Sequence, residues 1–189
     1  MQTTSILTML VIVGGLALWW NDEVSITIHS AGRNLIDIST TFENEEHSFC
    51  SFVYGPPQKE DKKEFWESMT NIIIDLNNQW CIIDDSNIVA KQGKKDGGNL
   101  VDHLQANWFN NLLDICGIMD MPIQGGDFTW LNQRVEDDEI QEKINGILVN
   151  SNRNNRFCNA IGVMEPTIGS YHSPIVCLFK GLSREKKKL

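Results

Sequence analysis

The chain has 189 residues, 41% of them hydrophobic and 22% charged, the proportions of one globular domain rather than of a disordered polymer. A formal net charge of -9 excludes the broad basic surface from which most nucleic-acid binders draw their affinity, so any contact with DNA has to be local. Five cysteines (Cys50, Cys81, Cys116, Cys158 and Cys177) with no C-x-x-C pair suggest neither a zinc site nor a disulfide framework, and they read as buried thiols of a reducing compartment.

The first element is the uncharged segment 5–20, SILTMLVIVGGLALWW. Its apolarity suits an export or membrane segment, but no Lys or Arg precedes it, and its length falls short of the roughly 20 residues needed to span. It reads as buried strands, with a membrane or export segment as the alternative. VSITIHSAG (24–32) and NLIDISTTF (34–42) alternate, and HSFCSFVYG (47–55) ends in aromatics, which predicts three antiparallel strands in a meander. After the break at GPPQ, Phe65, Met69, Ile72, Ile73 and Leu76 keep three-and-four spacing and predict an amphipathic helix over 59–77. The strand WCIID follows at once, completing a strand–helix–strand unit whose second strand ends in the acids and amide of IIDDSN (82–87). Acid groups at the carboxyl end of a strand are where α/β proteins usually keep their sites.

A second helix is predicted over about residues 100–116, with Leu104, Trp108, Leu112, Leu113 and Cys116 on one face. GGDFTWLN (125–132) reads as a turn entering a short strand, DDEIQEK (137–143) as a helical turn, and INGILVN (144–150) and PIVCLF (174–179) as strands. The basic runs at 59–63, 91–95 and 184–188 read as solvated surface. The expected organisation is a single α/β domain over residues 1–180 followed by a basic tail, 181–189.

The ordered series YGPP (54–57), IIDDSN (82–87), GGDFTWLN (125–132), KINGILVN (143–150) and GSYHSP (169–174) resembles the endonuclease/exonuclease/phosphatase superfamily, most closely the apurinic-type endonuclease domain of plant LINE retrotransposons. The resemblance implies a four-layer α/β/β/α, DNase I-like sandwich lacking its amino-terminal units, since nothing in residues 1–13 matches the family's asparagine and glutamate motifs. It also implies phosphodiester hydrolysis of DNA with magnesium, no obligate protein partner, no membrane, and an intracellular, nuclear setting. IIDDSN lies where the family has Gly-Asp-Phe-Asn, so Asp85 becomes the water-orienting acid and Asn87 its companion. Tyr54 matches a phosphate-contacting tyrosine, Trp130 the aromatic at the substrate rim, and His172, with Ser170, the histidine of a Ser-Asp-His motif.

The departures fall on chemistry. Tyr171 replaces the aspartate beside that histidine, Asn145-Gly146 replaces Asp-Arg, and Asp84 and Ser86 replace the glycine and phenylalanine around Asp85. An amide does not support a histidine's charge as a carboxylate does, so His172 is expected to lose its electrostatic partner and the IIDDSN turn to be disturbed. Without the resemblance, His172 reads as a hydrogen-bonded loop histidine, Asp85 as a turn residue, and Tyr54 and Trp130 as core or rim aromatics. The expected function is a truncated, degenerate endonuclease-like domain with little or no activity and no intact metal site. The alternatives are a working metal-dependent endonuclease and a non-catalytic interaction or membrane-anchored module.

Overall fold

The computed structural model describes residues 7–13, 15–21, 24–41, 47–74, 79–134 and 138–179. The basic tail and the end of the first predicted helix, including Leu76, lie outside the described residues. A six-stranded sheet carries the architecture, in the order β3 (Ser25–Gly32), β4 (Leu35–Thr41), β5 (His47–Tyr54), β6 (Trp80–Asp85), β12 (Asn145–Asn150) and β8 (Ile118–Asp120). The predicted meander is there: β3, β4 and β5 pair antiparallel. β5 and β6 pair in parallel, as a helical crossover requires, through α1 (Lys59–Ile74).

The outer face of this sheet is covered by α1 and α2 (His103–Ile115), and the main core lies between them around Trp66, Met69, Trp80, Ile82, Phe109 and Leu148. Trp66 and Trp80 are both 0% exposed, and burying about 200 Å² each is worth on the order of 5 kcal/mol per ring before ordering costs. Trp80 is also tied in register, because its Nε1–H donates to Ser51 Oγ (2.9 Å), whose hydroxyl donates to the buried Asp37 Oδ1 (2.6 Å). The predicted apolar face of α2 holds except at its start: Leu112 and Leu113 are buried, Trp108 and Cys116 pack against the same core, and Ala106 and Phe109 join them. Leu104 is 84% exposed, because the Asp102 cap on Leu104 N and Gln105 N starts the helix with Leu104 facing outward.

The inner face of the sheet meets smaller layers. Within the segment 5–20, the described residues form the antiparallel strands β1 (Leu7–Val13) and β2 (Leu16–Asn21), with Leu18 buried against Ile36 and Ile38. No helix among the described residues is long and apolar enough to cross a membrane. Cys81, Ile147 and Val149 pack towards Ile175 and Cys177 of the sheet β9 (Ile123–Gln124), β13 (Ile161–Met164) and β14 (Ile175–Leu178). A third small sheet joins β10 (Trp130–Leu131), β11 (Gln141–Glu142) and β7 (Lys95–Asp96). β11 stands where a helical turn was predicted, since Gln141 and Glu142 are held on both sides by β10 and β7. The periodicity also gave no sign of β13 or of the short α3 (Ser151–Arg156). All five cysteines are free thiols, but only Cys81 is fully buried and Cys158 is exposed.

Candidate active site

Because β5 and β6 are parallel and pair Tyr54 with Asp85, both strands deliver their carboxyl ends to the same rim. Side chains alternate along β6, so Asp85 follows Cys81 and Ile83 to the inner face while Asp84 follows Trp80 and Ile82 to the outer one. The turn beyond Asp85 is fully tied down. Asn87 takes a positive φ of 53°, which asparagine tolerates, its N–H donates to Asp85 Oδ1 (3.1 Å), and its Nδ2 donates to Gly55 O (2.7 Å). Gly55 N–H in turn donates to Asp85 O (2.7 Å), an approach so close that a Cβ on Gly55 would stand 2.6 Å from Ser86 O. Ser86 is buried and its hydroxyl donates to Ile144 O (2.9 Å). The expected disturbance of this turn by Asp84 and Ser86 is therefore absent: one side chain leaves the site and the other joins its framework.

β12 places Asn145 directly across from Asp85. His172 then closes the group, with Nδ1 3.0 Å from Asn145 Oδ1 and 3.8 Å from Asp85 Oδ2. With the amide oxygen as acceptor, Nδ1 is the donor, and Asp85 supplies the nearby negative charge. The expectation that His172 lacks an electrostatic partner thus fails, because the carboxylate comes from β6 instead of position 145. The loop that carries His172 is held by Ser170 Oγ, which accepts His172 N–H (3.0 Å), and by Leu131 N–H donating to Tyr171 O (3.0 Å). Trp130 bridges His172 through the backbone. Tyr171 points outward and is 55% exposed, and Tyr54 stands at the other side of the rim.

Burial raises the Asp85 carboxyl above its ordinary range, opposed by the charges of His172 and Lys62 and by the Asn87 N–H. Burial depresses the Lys62 ammonium, against the nearby acids Glu142, Asp85 and Asp102. Lys62 belongs to a run expected to be solvated, yet it donates to Asn87 O beside the site. Thr129, 1% exposed, accepts from Ile144 N (3.1 Å) and Asn145 N (3.0 Å) and fixes where β12 begins. Sequence reasoning missed Gly55, Lys62 and Thr129. For Gly55 the signal was present, as a glycine one residue past the strand end; nothing local marks Lys62 or Thr129.

Magnesium is usually held by one or two carboxylates among about six oxygens. Of the residues grouped here Asp85 is the one acid, one of its oxygens already accepts Asn87 N–H, and Asp84 lies on the opposite face. Among the described residues no three His, Cys, Asp or Glu side chains are grouped to hold a metal ion, and Asp85 is the member of this group that could offer an ion a carboxylate oxygen.

No family model and no curated protein matches the sequence. Solved structures do. The endonuclease domain of TRAS1, a telomere-specific non-LTR retrotransposon, superposes with a TM-score of 0.68 at 11% identity over 85% of this chain and 70% of that one. An endonuclease/exonuclease/phosphatase from Beutenbergia cavernae gives 0.53 at 12% identity, over 76% of this chain and 38% of its own. A beta toxin mutant from Staphylococcus aureus with bound magnesium ions gives 0.53 at 12% identity, over 91% of this chain and 67% of its own. The chain has the DNase I-like α/β fold that these structures share.

Proposed function

We propose that this DNase I-like chain is a nuclease-like domain, derived from a LINE-type DNA endonuclease, that engages a phosphodiester at the Asp85–His172 pair and turns it over weakly or not at all. One observation carries the reading: Asp85, Asn145 and His172 come from three separate segments, with His172 Nδ1 at hydrogen-bond distance from Asn145 and ion-pair distance from Asp85, and with Asn87 locking the acid. A histidine oriented by an amide and set beside a carboxylate is an arrangement that can move a proton at a phosphoryl oxygen. In this reading Asp85 orients a water, His172 faces the phosphate, and Tyr54, Trp130, Ser170 and Lys62 shape the rim around it. A magnesium ion at such a site would supply neutralisation of charge on the phosphoryl oxygens. Among the described residues the group offers such an ion one carboxylate, Asp85, which supports low turnover.

The working-endonuclease reading is favoured by the same intact geometry and differs from ours only in turnover. The site itself is tested by anisotropy titration of a fluorescent abasic duplex at low salt, comparing the wild-type chain with His172→Ala and Lys62→Ala. Both variants are expected to bind several-fold more weakly. Equal affinities for all three proteins would remove the phosphate from this rim.

A further inference from the structure

We propose that the cavity between helix α2 and the outer face of β6, β12 and β8 binds a small organic cation, an amidinium or ammonium on a compact apolar body, with Asp84 as its anchoring acceptor. The cavity measures about 230 Å³. It lies on the face of β6 away from Asp85 and His172, and the proposal does not depend on the nuclease-like reading.

Phe109, Leu113, Ile118 and Leu148 give it an apolar side, Asp84 and Asp120 lie at its floor, and Lys91, Lys94, Lys143 and Asp114 also line it. Asp84 is only 6% exposed, and its Oδ1 has no hydrogen-bond partner. A buried acceptor left in that condition costs about 1–3 kcal/mol, which a donor in the cavity would recover. The space in front of it exists because position 146 is glycine. A Cβ there would stand 3.0 Å from Asp84 Oδ1 and 3.8 Å from Asp120 Oδ1, so both oxygens border the same spot above the strand. Two acceptors facing one spot match the paired N–H donors of an amidinium.

Other ligand classes fit less well. Two of the three lysines in the lining are already engaged, Lys94 Nζ at 2.6 Å and Lys143 Nζ at 3.8 Å from Asp120 Oδ2, which leaves an anion chiefly Lys91. No group of three ligating side chains that could hold a metal ion occurs among the described residues. A purely apolar molecule would leave Asp84 Oδ1 without a donor. The volume is below the roughly 300–1,000 Å³ of drug-sized pockets, so the ligand is a fragment, a single ring or a short branched chain with its cationic group.

The test uses benzamidinium as the probe, titrated into the full chain at mildly alkaline pH and followed by calorimetry and amide NMR shifts. The wild-type chain is expected to show saturable binding with a Kd of roughly millimolar strength, as suits a fragment. The shifted amides should cluster on Asn110, Leu113, Asp120 and Gly146. Asp84→Asn, which keeps the shape and cannot ionise when the cation arrives, should weaken binding by about tenfold or more. Gly146→Ala, which fills the spot, should do the same while the protein still melts cooperatively. No binding by the wild-type chain, equal binding by Asp84→Asn, shifts confined to other residues, or equal affinity for uncharged benzyl alcohol would each overturn the proposal. So would magnesium shifting these amides where benzamidinium does not.

Discussion

Asp84→Asn should stabilise the protein at neutral pH, by an amount that fades as the pH falls. Asp84 sits 94% out of solvent's reach with one oxygen unpartnered, and burial, reinforced by the charges of Asp85 and Asp120 and only partly offset by Lys94, pushes its carboxyl up to about 8 from an ordinary 3.8. A folded-state pKa raised above the unfolded one means that the native protein holds a proton which the unfolded chain releases. The contribution of this group is therefore fully present below the unfolded pKa and is lost as the pH rises to the folded one. Each pH unit between those limits costs about 1.4 kcal/mol, so at neutral pH the native state has given up roughly 4 kcal/mol. The amide variant has no such proton to hold. Its NH₂ brings a polar demand of its own, about 1–3 kcal/mol if unmet, so the pH slope carries the test rather than the offset. Urea unfolding of both proteins at several pH values from about 5 to about 8 should show the variant gaining on the wild type by about 1.4 kcal/mol per unit, with Tm diverging by several degrees across the range. A difference that stays flat over that interval, or one that shrinks as the pH rises, would refute a neutral, buried Asp84.

Gly55→Ala brings a Cβ to 2.6 Å from Ser86 O and should lower the unfolding free energy by about 1–3 kcal/mol in denaturant titration while disordering the Asp85 turn. Thr129→Val removes the acceptor shared by Ile144 N and Asn145 N, and should cost about 1–3 kcal/mol and shift the His172 ring resonances as Asn145 loses its place. Arg153 is 0% exposed with no hydrogen bond to its guanidinium, stacked at 3.9 Å on Phe157 and 4.3 Å on Phe179. Such stacking returns about 0.5–2 kcal/mol against a desolvation cost of several, so Arg153→Met should raise stability by about 1–3 kcal/mol in urea. A less stable variant would mean that the aromatic sandwich outweighs desolvation.

Much of the fold was legible because its signals are local. Alternation marks β3 to β5, and the apolar run into IIDDSN marks β6 together with the rim where the acids emerge. The order of five short motifs placed Asp85, Asn145 and His172 near one another although they are far apart in the chain. What failed was information carried by facing and partners. Period-two alternation already separates Asp84 from Asp85, but reading them as one acidic pair in a turn hid that they serve opposite faces of the sheet. On α2 the predicted stripe is right at Trp108, Leu112, Leu113 and Cys116, which pack against the core, but Leu104 is turned outward after the Asp102 cap, and Ala106 and Phe109 face the core at that end. Gln141 and Glu142 have helical character by themselves and become β11 through neighbours distant in sequence. Lys62 looked like part of a solvated run because nothing in KEDKK announces that Asn87 O will meet it.

The most direct measurement of the central claim is single-turnover cleavage of an abasic-site duplex by the purified chain in magnesium, run beside His172→Ala and Asp85→Asn. The account predicts that the wild-type chain cuts no faster than either variant, because among the described residues the Asp85–Asn145–His172 group offers one carboxylate to an ion that would neutralise the phosphoryl charge. Cleavage that requires magnesium and is abolished by His172→Ala would contradict it and establish a working endonuclease.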